Sequence, residues 1–66
     1  MKIKRIMPDT ANAILDNKKP IGLFYSRITK NSYIAIDNSK GEAKAAEFKM
    51  SSDCKHWLEG RITNGK

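Results

Sequence analysis

The chain has little of what usually braces or arms a small protein. It has one cysteine, Cys54, so no internal disulfide can close, and one histidine, His56. Together they cannot complete a structural zinc site, which needs about four ligands, and no metal or other cofactor is expected. Its four glycines are scattered and form no phosphate-cradling loop. No apolar run approaches the ~20 residues that span a bilayer, so no membrane partner is expected. The N-terminus carries Lys2, Lys4 and Arg5 and runs into Pro8, with no export signal, which predicts a cytoplasmic protein. Acids are also scarce: seven against thirteen Lys and Arg give a formal charge of +6. The acids are dispersed among basic neighbours, so no acid/base pair is forced together and an enzyme is not expected. The basic excess favours anionic partners: nucleic acid, nucleotide-like ligands or an acidic protein surface.

Sixty-six residues make one domain. A chain this short buries only ~60% of its unfolded surface. Domains of this size lean on a disulfide, a metal or a second copy of themselves. With the first two absent, a homodimer is the expectation.

Met1 to Met7 (MKIKRIM) alternates and reads as a short, basic strand that Pro8 closes. Pro8 and Asp9 suit the first turn of a helix, and Ala11, Ile14 and Leu15 make its apolar stripe. Lys18, Lys19 and Pro20 end it. Ile21 to Lys30, rich in β-branched and aromatic residues, is the second strand, and Asn31-Ser32 turns it. SYIAID, from Ser32 to Asp37, is the third. After the turn at Asn38 to Gly41, EAKAAEFKM, residues 42–50, has helix-forming composition. The alternation of Ala46, Phe48 and Met50 and the short turn before it favour a strand. Ser51-Ser52-Asp53 starts a last helix, with Cys54, Trp57 and Leu58 on one face, and Gly60 is its expected stop. Residues 1–60 are then a single domain and 61–66 a frayed basic tail. The order β-α-β-β-β-α predicts a two-layer α+β domain: an antiparallel sheet with both helices packed on one face. Its expected core is Ile3, Ile14, Leu15, Phe24, Ile34, Ile36, Phe48, Trp57 and Leu58.

Period two then divides the strands. The second strand is apolar on both sides; if Phe24 and Ile28 turn toward the helices with Ile34, Ile36, Ala46, Phe48 and Met50, the opposite face carries Leu23, Tyr25, Arg27, Tyr33, Ala35, Ala45 and Lys49. Leu23, Tyr25, Arg27, Tyr33 and Lys49 are the candidate binding face: aromatic rings can stack a base while cations take a phosphate. The same half-apolar surface could pair two copies. Lys2, Lys4, Arg5 and Lys44 are secondary basic contacts. Cys54 and His56, two apart on a helix, point about 200° from each other and make no nucleophile-and-base pair. Cys54 reads as a small buried hydrophobe and His56 as a solvated side chain. Asp37-Asn38, the most enzyme-like polar pair, reads as turn chemistry at a strand end.

The segments P..A..IL, GLFY, YIAIDN, G.A..AEF and C..WL.G, running from Pro8 to Gly60, resemble short phage and prophage reading frames of Gram-positive bacteria. That resemblance implies an accessory protein that binds and inhibits a host factor, an antiphage defence system or a nucleotide-type signal among them, or that binds nucleic acid. The run of helix, three strands and helix is also similar to a double-stranded-RNA-binding domain. That family's second helix is long and lysine-rich, whereas here only Lys55 precedes Trp57-Leu58. The leading expectation is a non-catalytic binding protein of phage accessory type acting in the host cytoplasm. A nucleic-acid-binding module using the basic, tyrosine-bearing face is the alternative.

Overall fold

The computed structural model describes residues 2–63. The element order is the expected β-α-β-β-β-α: β1 Ile3–Arg5, α1 Pro8–Asn17, β2 Gly22–Thr29, β3 Ser32–Asn38, β4 Lys44–Phe48 and α2 Ser51–Thr63. The fold is α+β, built on one four-stranded sheet in the order β1-β2-β3-β4. Residues 42–50 contain a strand despite their composition, because β4 gains a full antiparallel ladder on β3, from Tyr33 opposite Phe48 to Asp37 opposite Lys44. Tertiary pairing outweighs a propensity difference of a few tenths of a kcal/mol per residue.

The sheet is mixed, not antiparallel. β2 and β3 form a hairpin, but β1 runs parallel to β2, with Ile3 opposite Leu23 and Arg5 opposite Tyr25. The reason is the single helix between them. α1 carries the chain back along the sheet, so β2 starts from the same end as β1, the crossover that parallel neighbours require. α1 begins with Pro8, carries Asp9 in its first turn and ends at Lys18, a left-handed cap whose N–H reaches the Ile14 carbonyl at 2.7 Å.

The helices lie on opposite faces of the sheet, which corrects the expected two-layer arrangement. Ala11 and Ile14 of α1 pack with Phe24 and Ile36, flanked by Ile6, Leu15 and Ile34. Cys54 and Leu58 of α2 pack with Leu23, Tyr25 and Ala35, flanked by Ile3, Tyr33, Phe48 and Trp57. Neighbouring residues of a strand point to opposite sides, so Leu23 and Phe24 cannot share a core. The split also moves β4: Ala46 and Phe48 face α2, because they lie opposite Ala35 and Tyr33, while Ala45 pairs with Ile36 and turns to the α1 side. Ile28 and Met50, expected inside, are exposed: Ile28 sits in the irregular register at the hairpin end and Met50 lies past the end of β4. α2 continues through Gly60 to Thr63, so residues 61–63 belong to the helix and not to a tail, while the remainder of the expected tail, 64–66, lies outside the described residues. Gly60 costs such a helix only about 1 kcal/mol, which docking of the helix offsets.

One buried group in this core is out of place. Ser26 is fully buried in β2, and its Oγ has no hydrogen-bond partner among the described residues. An unpaired buried hydroxyl costs about 1–3 kcal/mol. Ser26→Ala is therefore expected to stabilise the fold by about 1 kcal/mol, a rise of roughly 4–8 °C in melting midpoint by calorimetry. An unchanged or lower midpoint would show that the hydroxyl is satisfied.

Candidate functional site

The five residues of the expected binding face do not form an open surface. Leu23 is 2% exposed and Tyr25 8% exposed, both beneath α2. Tyr33 is half-buried against the same cluster. The correction follows from the second helix: Cys54 and Leu58 need an apolar face to bury, and the α1 side is already taken. Arg27 and Lys49 remain exposed. Arg27 is held against its own hairpin turn, donating from Nε to the Thr29 carbonyl at 3.3 Å and from an Nη to the Lys30 carbonyl at 3.2 Å. Lys49 lies past the end of β4, where it lines an open hollow with Ser32, Glu47 and Phe48. Arg27 keeps its place opposite Tyr33 in the β2–β3 ladder, but with Leu23 and Tyr25 covered by α2 the five residues make no continuous stacking surface.

The secondary basic residues fare differently. Lys2, Lys4 and Arg5 are all exposed, on or beside the three-residue edge strand β1. Lys4 and Arg5 are consecutive in a strand, so they project to opposite sides and present positive charge around the sheet edge. Arg5 lies opposite Tyr25, and across the Tyr25 ring, 5.5 Å from its centroid, sits the Lys55 ammonium of α2. Arg5 and Lys55 thereby flank one aromatic residue on the α2 side. Spacing alone could not reveal this pairing, because it depends on which face α2 covers. Lys44 is not part of the patch; it pairs with Glu42 at 3.4 Å at the start of β4.

The polar pair Asp37-Asn38 is committed to structure. Asp37 accepts the Ser39 hydroxyl at 2.6 Å, the Ser39 N–H at 3.1 Å and the Arg61 Nε at 2.5 Å. Burial pushes its carboxyl up, but the Ser39 and Arg61 hydrogen bonds outweigh that and hold it below the usual carboxylate range. Its folded pKa is depressed, so its stabilisation is complete above the unfolded value near 4 and is lost as pH falls through the folded one. Asp37→Asn is accordingly expected to lower stability at pH 7 and to converge with the parent in strong acid. Urea unfolding across pH 2–7 measures this, and parallel curves at all pH values would contradict it. Arg61 also lies over Trp57, 4.6 Å from the ring centroid. This clasp holds the C-terminal half of α2 to the end of β3.

Cys54 is fully buried, and burial, with the Asp53 carboxylate second, pushes its thiol up. It stays protonated at neutral pH and is a poor nucleophile. His56 is exposed, on the other side of the helix from Cys54. Among the described residues no group of three or more His, Cys, Asp or Glu side chains could hold a metal ion. Among them, too, no helix is long and apolar enough to cross a membrane. Compared with protein families, curated proteins and solved structures, the chain matches none.

Proposed function

We propose that this chain is a non-catalytic binding protein of the phage accessory type, which acts by occupying an acidic surface of a host protein. The observation that carries the reading is the β1 edge, where Lys2, Lys4 and Arg5 are exposed and Lys55 lies over the register partner of Arg5. Charge set at the edge of a rigid sheet speeds encounter with an acidic partner and rejects basic ones. Occupancy alone suffices for inhibition, as in counter-defence, and needs none of the catalytic groups whose geometry Cys54 and His56 lack.

The second reading, a nucleic-acid-binding module, draws on the same cations and on the charge of +6. It has to rely on phosphate contacts, because Tyr25 is 8% exposed and has no free face for a base. The two readings part under nuclease and salt. The immobilised chain, offered a nuclease-treated bacterial lysate, is expected to retain a protein that Lys4→Glu/Arg5→Glu fails to retain, with a loss in affinity of about ten-fold or more. Capture that nuclease abolishes, together with oligonucleotide affinity falling by a log–log slope of about 0.9 per phosphate contacted, would assign the nucleic-acid role instead. Capture unaffected by the double charge reversal would remove the β1 edge from both.

A further inference from the structure

We infer that two copies of this chain pair along strand β4, antiparallel and centred on Ala46, to make one continuous eight-stranded sheet. The expected dimer through the tyrosine-bearing face is not available, because α2 occupies that face. Among the described residues the sheet has two edges, β1 and β4, with no further strand paired to either, and the outer side of an edge strand presents a row of backbone N–H and C=O groups. The edges are protected unequally. β1 is three residues long, and Lys4 and Arg5 stand exposed on it with Lys2 beside them. Short length and like charge are the usual devices against edge pairing. β4 is five residues long, contains no proline and has Ala45-Ala46 at its centre. The segment 42–49 carries Glu42, Lys44, Glu47 and Lys49, so it is neutral in a chain of charge +6. The repulsion that opposes association elsewhere is cancelled here.

Charge and backbone conformation also select the register. Facing residues of an antiparallel pair point to the same side of the sheet, so a two-fold axis normal to the sheet must pass between identical residues. An axis at Glu47 sets two carboxylates opposite each other, which is destabilising. An axis at Ala45 puts Glu47 opposite Ala43, whose φ of 51° is left-handed and not that of a strand. An axis at Ala46 aligns the whole of β4, with Lys44 opposite Phe48 of the second copy and Ala45 opposite its Glu47. Ala45 and Glu47 are both exposed on the α1 side, where α1 covers β2 and β3 and leaves β4 bare. Pairing uses up both β4 edges and leaves only the cationic β1 edges outside, so assembly closes at two and does not run on into a filament. Such an edge contact is small, and the dimer is correspondingly weak and concentration-dependent. It uses the edge opposite to the one proposed for partner binding, so either can fail without the other.

Sedimentation equilibrium on the full chain tests the pairing with two substitutions at one exposed position. Ala45→Lys adds charge to an already basic protein, yet it sets an ammonium opposite Glu47 twice per dimer and is expected to tighten association about five-fold. Ala45→Glu lowers the net charge, yet it sets carboxylate against carboxylate and is expected to loosen it about five-fold. Association governed by net charge would give the reverse order and overturn the inference. Ala46→Cys is expected to oxidise in air to a disulfide dimer, because Cα atoms of facing residues lie roughly 4.5–5.5 Å apart, within disulfide range. Cys54, fully buried, does not compete. Glu47→Cys, offset from the axis, is expected to cross-link more slowly. A wild-type chain that stays monomeric at the highest concentration, or equal cross-linking at 46 and 47, overturns the inference and leaves β4 to some other strand.

Discussion

Leu58→Ala is expected to cost about 3–5 kcal/mol, against a total of about 3–10 kcal/mol for a domain of this length. Leu58 is fully buried and meets Leu23, Tyr25, Ala35 and Cys54 across the contact between α2 and the sheet. Removing its isobutyl group leaves a cavity that a single helix, held on one side only, cannot close without sliding. Trp57 is the larger residue and the more tempting target. It is only half-buried, however, tilted 54° against Phe48 with 6.2 Å between ring centroids and covered by Arg61. Trp57→Ala is expected to cost about 2 kcal/mol, scaled down from the cost of a fully buried ring. Urea unfolding of both variants gives the order. If Trp57→Ala is the more damaging, α2 is docked through its aromatic flank and the burial of Leu23 and Tyr25 must be revised.

Asn38→Ala is expected to be next, at about 2–4 kcal/mol. Asn38 is fully buried at the end of β3 and fastens two separate loops. Its Nδ2 donates to the Pro20 carbonyl at 2.7 Å, and its Oδ1 accepts the Ala43 N–H at 3.0 Å. Alanine leaves both backbone groups without their partner, at about 1–3 kcal/mol for each group left unsatisfied. Asn38→Asp makes the sharper test. Its carboxylate can accept from Ala43 but cannot donate to Pro20, so the variant buries an unpaired charge at pH 7. Burial raises the folded pKa of that new carboxyl above its unfolded value, so the penalty is relieved as pH falls and the group is protonated. The variant should therefore gain stability between pH 7 and pH 5, where the parent has little reason to change. Stability independent of pH in Asn38→Asp would mean that the site is wet.

The polar pair also marks where reading the sequence reached its limit. Asp37-Asn38 stood out as the most site-like pair, and turn chemistry was the right reading of it. Yet the partners that settle the matter, Pro20, Ala43 and Arg61, lie 18, 5 and 24 residues away. The same holds for the basic edge. Lys2, Lys4 and Arg5 were legible as exposed cations from alternation, whereas Lys55 joined them only through the docking of α2. Leu23 and Tyr25 lie on a strand that is apolar on both sides, and its pattern leaves open which side is covered. Such a continuous apolar run is what a strand covered on both faces shows, as β2 is.

The sequence by itself determined the number and order of the elements, the inward Cys54 and the outward His56, and it favoured a strand within residues 42–50, which the ladder on β3 then secured at Lys44–Phe48. These follow from period and turn chemistry, which act over a few residues. Only the tertiary structure decided that β1 lies parallel to β2, that the helices take opposite faces, and that Asn38 and Arg61 are clasps. The physical reason is that alternation sorts side chains into two sets but is symmetric between them. Which set meets a helix is settled by competition: α1 covers Phe24 and Ile36, and α2 has to bury Cys54 and Leu58 against Leu23 and Tyr25. That choice closes the face that looked functional and leaves charge at one sheet edge and a neutral strand at the other.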